Sequence, residues 1–243
     1  MSDMETRPQI VLALPAHGPH GPWLERVRLL AELLAHYGAV HISICPDGSY
    51  DAYSQETLQG LADLNKHYPV AVYDYTPNQG KGHAVRHAVA QAGPAEQLFL
   101  YTDYDVPFSL PSYQRLIETL LAGANVVVGN RGSHYVSHLS PFRKVLSLGS
   151  HLLNRVLFGL PVSDTQGGIK AFDAKGREAL LATNINSYLF DTQFIAIATR
   201  RKLLLEEVPV TLRSEGIKFS KMGLRILLRE LRAVLQVLKS RWF

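Results

Sequence analysis

Asp103-Tyr104-Asp105 sets two carboxylates one residue apart, directly after the apolar run Leu98-Phe99-Leu100-Tyr101-Thr102. An aromatic, apolar run of that length predicts a buried strand of an α/β sheet. Carboxylates just past the C-terminal end of such a strand stand where open α/β sheets take their ligands. Two of them can share one hard divalent cation, and a cation so held can grip a diphosphate. The competing reading is a solvated acidic turn, since D-x-D is short enough to arise by chance.

Two further segments carry groups suited to a phosphorylated ligand. Asn78-Gln79-Gly80-Lys81-Gly82 falls between a strand and a helix expected from His83. Glycines let backbone approach a ligand closely, the free N–H groups of a helix start favour anions, and Lys81 adds a point charge. An ordinary glycine turn with a solvated lysine is the alternative. The segment lacks the G-x-x-x-x-G-K-[ST] spacing of a P-loop, and no G-x-G-x-x-G follows a strand, which argues against a nicotinamide enzyme. Asp47-Gly48-Ser49 follows another strand. Its carboxylate can accept hydrogen bonds from a nucleobase or ribose, although Pro-Asp-Gly-Ser is also simply a good turn sequence. His134 and His138 have the i, i+4 spacing of a zinc pair, but no third ligand is evident and Gly132-Ser133 reads as a loop.

These groups need elements to position them. Strands are expected at Ile10–Leu14, Val40–Cys45, Val70–Tyr73, Leu98–Thr102 and Asn125–Gly129. Helices are expected at Pro22–Tyr37, Gln55–Leu64, His83–Ala92 and Pro111–Leu121. That alternation implies an α/β fold with a mainly parallel sheet covered on both faces. The last third is less regular: a long helix over Ser140–Phe158, another over Phe190–Lys202, a strand at Leu203–Val208 and a terminal helix over Met222–Arg241. The division that follows is one domain over 1–221 and a basic amphipathic helix over 222–243.

Composition narrows the function classes. Hydrophobic residues make up 47% and charged residues 19% of the 243, values of a globular chain that can bury an ample core. One cysteine, Cys45, excludes a disulfide framework within the chain and fits a reducing compartment. No apolar stretch approaches the roughly 20 residues needed to cross a bilayer. Asp3, Glu5 and Arg7 make the start unlike a signal peptide, so a cytoplasmic protein, soluble or peripheral to a membrane, is expected. The net charge of +4 is unevenly placed: residues 213–243 carry eight Lys/Arg against two acids, and the rest of the chain is slightly acidic. An anionic partner at the tail is implied, and nucleic acid is not, because no basic groove runs over the body.

Taken in order, the motifs resemble family-2 glycosyltransferases, in the branch that makes dolichyl- or polyprenyl-phosphate sugars. NQGKGHAVRHA is similar to that branch's N-x-G-K-G-x-A, YTDYDVP parallels its D-A-D, and VVVGNRG its strand and arginine turn. DTQGGIKAFD at 164–173 resembles D-T-Q-C-G-F-K-x-F, and the segment from Tyr188 to Leu212 resembles the late F-D…A…E-V-P-V. There are three departures. Pro15-Ala16-His17-Gly18-Pro19 replaces P-x-Y-N-E, Pro46-Asp47 replaces a pair of aspartates, and Pro107 stands where some relatives have a glutamine metal ligand.

The resemblance implies a GT-A-like fold and an inverting, metal-dependent hexosyl transfer. Mg²⁺ or Mn²⁺ would sit on Asp103 and Asp105, and the nucleoside-diphosphate sugar would lie against Pro15, Ala16, Asp47, Asn78, Gly80, Lys81 and Tyr104. Asp164 and Gln166 would line the sugar side as catalytic residues with the two aspartates, and Lys170 would either join them or lie at the surface. Arg131, Arg143 and Ser147 would take the phosphate of a polyprenyl or dolichyl acceptor, with ordinary surface arginines as the plain alternative. UDP-glucose is favoured slightly over GDP-mannose by D-T-Q-G-G-I-K and by residues 214–221. A phosphate acceptor is already anionic near pH 7, so no nucleophile–base pair is required, and none is seen.

The tail adds a second binding expectation. Arg225, Arg229, Arg232, Gln236 and Lys239 form one polar stripe, facing a wide apolar side that ends in Trp242-Phe243. Such a helix suits the plane of an anionic membrane at its cytoplasmic face. It equally suits packing on the sheet or on a partner subunit in a homo-oligomer. A glycosyltransferase with a soluble acceptor and a catalytically silent nucleotide-sugar-binding module remain the alternatives. A nucleotidyltransferase would lack its glycine-arginine-lysine opening.

Overall fold

The computed structural model describes residues 7–93, 96–132, 149, 153–213 and 224–242. In chain order its elements are β1 Gln9–Pro15, α1 Trp23–Leu34, β2 Ala39–Cys45, α2 Gln55–Asn65, β3 Val70–Val72, α3 Lys81–Ala90, β4 Glu96–Thr102, α4 Leu110–Leu121, β5 Val126–Asn130, β6 Ile169–Asp173, α5 Ala174–Leu181, α6 Phe190–Arg200, β7 Leu205–Pro209 and α7 Leu224–Trp242. The described strands form one sheet of order β3-β2-β1-β4-β6-β5-β7. Neighbours run parallel except β6, which lies antiparallel between β4 and β5. The α/β fold with a mainly parallel sheet, expected from the alternation of segments, is therefore present.

The core lies on both faces of this sheet because each central strand is apolar on both sides. Ile10, Leu12 and Leu14 of β1 pack under α1, α2 and α4, and Val11 and Ala13 face the layer of α3, α5, α6 and α7. α1 is shorter than its apolar pattern predicts: Tyr37 N–H and Gly38 N–H both close on Leu34 C=O, at 2.9 and 3.2 Å. Gly38 then runs so near β1 that a Cβ would stand 2.1 Å from Pro8 C=O.

Two expectations change. β6 and α5 are not foreseen: Ile169-Lys170-Ala171-Phe172-Asp173 breaks its apolar run with a charge, although Lys170 is fully buried. The long helix expected over Ser140–Phe158 lies mostly outside the described residues, and its last part, Leu153–Leu157, is a π-helical turn. α7 packs on the body in its described part, with Ala233 and Val237 buried in the α6 layer and Arg241 Nε donating to Phe158 C=O at 3.1 Å. Its other side leaves Leu235 67% and Trp242 55% exposed. No described helix is long and apolar enough to cross a membrane.

Candidate active site

Because β1, β2 and β4 are parallel, their C-terminal ends share one rim, and a cleft of about 1150 Å³ opens there. Pro15, Asp47, Asn78, Gly80, Lys81, Asp103, Tyr104 and Asp105 all line it, as expected of a single site. Ala16 lies beneath the floor, fully buried, with its C=O accepting from Tyr53 Oη at 2.6 Å.

Asp47 organises the loop that precedes α3. It takes a left-handed conformation (φ 53°) that only a turn tolerates, and its side chain is 4% exposed. Oδ1 accepts from Tyr75 Oη and Gln79 N at 2.7 and 2.8 Å, and Oδ2 accepts from Asn78 Nδ2 and Gly80 N at 2.8 and 3.1 Å. Burial, and next the Asp47 carboxylate, raise the Tyr75 phenol above its usual pKa. The carboxylate thus fixes the backbone at the anion-favouring start of α3.

Both glycines of the Gly80-Lys81-Gly82 segment are sterically required. Gly80 has φ 96°, and a Cβ on it would meet Asn186 C=O at 2.7 Å. Gly82 donates to the same carbonyl at 3.1 Å, and a Cβ there would strike Phe190. The wall they rest on, Asn184–Tyr188, also lines the cleft. Reading the sequence passes over this wall. Its fixings are Arg86, whose Nη1 reaches Thr183 Oγ1 and Ile185 C=O at 3.1 and 2.8 Å, and Gln193. Gln193 Oε1 accepts from Asn184 N and Ile185 N, and its Nε2 donates to Asn184 Oδ1 and to Ser240 Oγ of α7.

Lys81, between the two glycines, reaches across to β4 and forms an ion pair with Asp103. Burial pulls its ammonium down, but Asp103 and then Asp191 outweigh that and leave its pKa raised. Asp105 follows in a turn closed by Val106 N–H on Asp103 C=O at 3.0 Å, with the buried Val106 itself at φ 47°. Burial, then the charge of Asp103, raise the Asp105 carboxyl above the usual range. Two hard carboxylates held close enough to repel fit a divalent cation. No group of three or more His, Cys, Asp or Glu able to hold a metal exists among the described residues. That donor set suits Mg²⁺ or Mn²⁺, which commonly take one or two carboxylates and complete their shell with phosphate oxygens and water. Tyr104 Oη lies 2.9 Å from His20 Nδ1, and His17 also lines the cleft, so the altered segment after β1 faces the site.

The 164–168 segment arrives beside this point because β6 runs antiparallel. Gly167 packs so that a Cβ would sit 2.2 Å from Gly129 C=O, and one on Gly168 would sit 3.2 Å from Asp103 Oδ2. Arg131, just past β5, makes a two-pronged pair with Asp164: Nε to Oδ2 at 2.8 Å and Nη2 to Oδ1 at 2.9 Å. Burial would raise the Asp164 carboxyl, but Arg131 holds it below the usual range. Gln166 is half-buried in the same turn. Arg143, Ser147, His134 and His138 lie outside the described residues.

Lys170 is neither a pocket residue nor a surface one. It is fully buried in β6, 2.7 Å from Asp191 Oδ1 without an aligned hydrogen bond, and its Nζ lies 5.4 Å from the centre of the Tyr101 ring. Burial outweighs Asp191 and pulls its pKa below that of an ordinary lysine. Tyr101 Oη also donates to Asp191.

Comparison with known proteins agrees with this geometry. Among solved structures, glucosyl-3-phosphoglycerate synthase from Mycobacterium tuberculosis with phosphoglyceric acid superposes at a TM-score of 0.63, with 20% identity over 97% of this chain and 80% of that one. The same enzyme crystallised with Mn²⁺ and UDP-glucose gives 0.59 at 18% identity, covering 97% of this chain and 79% of that one. These likenesses establish the GT-A-like fold. By sequence, the chain is 29% identical over 180 residues to dolichyl-phosphate beta-glucosyltransferase ALG5A of Trichomonas vaginalis, covering 70% of this chain and 53% of the relative. It is 27% identical over 193 residues to ALG5D of the same organism, covering 75% and 58%. The chain therefore spans little more than half the length of these curated relatives. The family described as Glycosyl transferase family 2 matches residues 23–180, and the chain belongs to that family.

Proposed function

We propose that this chain transfers a hexose, with inversion, from a nucleoside-diphosphate sugar to a polyprenyl or dolichyl phosphate at the cytoplasmic face of a membrane. UDP-glucose is the donor favoured over GDP-mannose. The observation that carries the reading is the pairing of Lys81 with Asp103 in one cleft, with the Gly168 turn packed close to the same carboxylate. The relatives whose names specify dolichyl phosphate and glucose support the acceptor and the sugar.

In this reading the donor's diphosphate lies near the start of α3, where the helix dipole favours an anion and Lys81 faces it. A divalent cation on Asp103 and Asp105 supplies neutralising charge for the departing diphosphate. The nucleoside lies toward the β1 and β2 ends, near Pro15, His17 and the Asp47-anchored loop. On the opposite side, Arg131, oriented by Asp164, contributes positive charge for the incoming phosphate; Arg143 and Ser147, which lie outside the described residues, are assigned to the same phosphate. An acceptor phosphate oxygen attacks the anomeric carbon in line. As the new C–O bond forms, the bond to the diphosphate breaks and its electron pair leaves with the nucleotide. No side chain needs to take a proton, because the attacking oxygen is already anionic.

The packing of α7 on the body favours, as a second reading, a soluble phosphorylated acceptor. Both are tested by offering UDP- and GDP-sugars with Mg²⁺ or Mn²⁺ to short polyprenyl phosphates and to small phosphorylated acceptors, with products read by mass spectrometry. Polyprenyl-phosphate hexose is expected, and its formation should be abolished in Asp103→Asn/Asp105→Asn with folding unchanged by circular dichroism. Product only on the small acceptors would replace the first reading with the second. Undiminished turnover by the double variant would remove the metal from both.

A further inference from the structure

Lys81 Nζ already sits on Asp103 Oδ1, on the carboxylate assigned to the cation. Resting on the donor-and-metal reading above, we propose that the Lys81 ammonium occupies the cation's place on Asp103 until a donor diphosphate draws it away, so that metal and nucleotide bind as a pair. The direct contact between Lys81 Nζ and Asp103 Oδ1 is the first support. Two positive charges on one carboxylate oxygen repel strongly at this range, all the more in a partly enclosed cleft. Bare divalent cation therefore has to displace the lysine.

The lysine's backbone cannot withdraw. Gly80 N–H is tied to Asp47, Gly82 N–H to Asn186 C=O, and both glycine Cα atoms abut the Asn184–Tyr188 wall. What remains free to move is the four-carbon stem, which is flexible and ends in a compact charge. Among the described residues the ammonium has no separate anion to move to: Asp105, which also feels its charge, belongs to the same cation site. Asp191 is the next carboxylate acting on it, but Asp191 already serves the Lys170 ammonium and the Tyr101 hydroxyl. On the far side the Gly168 backbone stands close by, since a Cβ added there would lie 3.9 Å from Nζ. An anion brought into the cleft is what can release Lys81 from Asp103, and a diphosphate does so while also completing the metal's shell.

The test titrates Mn²⁺ into wild type and Lys81→Met by calorimetry or Mn²⁺ electron paramagnetic resonance, without nucleotide and with saturating UDP or GDP. Lys81→Gln repeats the measurement should the methionine variant fold poorly. Without nucleotide, the variant should bind Mn²⁺ about 3- to 10-fold more tightly than wild type, the range expected for losing a partly buried ionic competitor. Nucleotide should strengthen Mn²⁺ binding in wild type by a larger factor than in the variant. Equal or weaker Mn²⁺ binding by both variants without nucleotide, or the same nucleotide enhancement in variant and wild type, would overturn the proposal while leaving the donor site standing. Wild type that binds Mn²⁺ neither alone nor with either nucleotide would sink the donor-and-metal reading itself, and this proposal with it.

Discussion

Burial and the adjacent Asp103 charge hold the Asp105 carboxyl above the ordinary aspartate range, so ionising it costs more in the folded protein than in the unfolded chain. Between the unfolded and the folded pKa, the native state binds more protons, and stability falls as pH rises. Asp105→Asn should therefore stabilise the metal-free protein at pH 7, raising Tm by about 2–4 °C for each kcal/mol relieved in a chain of this size. Most of that gain should vanish near pH 3, where the carboxyl is protonated in both states. Scanning fluorimetry at both pH values checks this, and a lower Tm for the variant at pH 7 would refute the repulsion. Asp164 has the opposite sign: its depressed pKa adds stability that is fully present above the usual aspartate range and is lost as pH falls from there through the lowered value. Asp47 shows how far single residues can be read. Its identity and its turn were legible from Pro46-Asp47-Gly48, whereas the four donors on its carboxylate were not, because Tyr75 and the 78–80 loop come beside it only through β3 and α3.

At the scale of elements, the regular β-α portion was legible because hydrophobic period and turn residues agree over Gln9–Asn130. β6 was not, since a strand with a lysine at its centre reads as broken. Lys170 escapes that rule by pairing with Asp191 of α6 where no water reaches. Lys170→Met should accordingly destabilise the protein by about 3–5 kcal/mol, the cost of leaving a buried charge without its counter-charge. Adding Asp191→Asn, which leaves Tyr101 an acceptor, should restore most of the loss. Urea unfolding of Lys170→Met, Asp191→Asn and the double variant measures this, and a fully additive double variant would show the two residues act independently. The helix over 224–242 was legible as a helix but not as to what it covers, because an apolar stripe looks alike whether lipid or α6 faces it.

For the whole molecule, the two sides of α7 differ in what they meet. Ala233, Val237 and Ser240 face α6 and Gln193, while Leu235, Lys239 and Trp242 remain outward. On the proposed membrane reading, Leu235→Ser/Lys239→Glu should abolish sedimentation with anionic vesicles while leaving Tm within about 1 °C, as surface changes away from packed contacts usually do. Unchanged vesicle binding by this variant would move the membrane contact elsewhere. The antiparallel course of β6 has a broader consequence. The chain leaves β5 at Asn130 and re-enters β6 at Ile169 on the same border of the sheet, the one where the candidate cleft opens. That stretch can lengthen, shorten or change chemistry without any strand losing its neighbour. A relative could thereby exchange one acceptor for another by rewriting a single excursion, while the nucleotide half of the scaffold stays as it is.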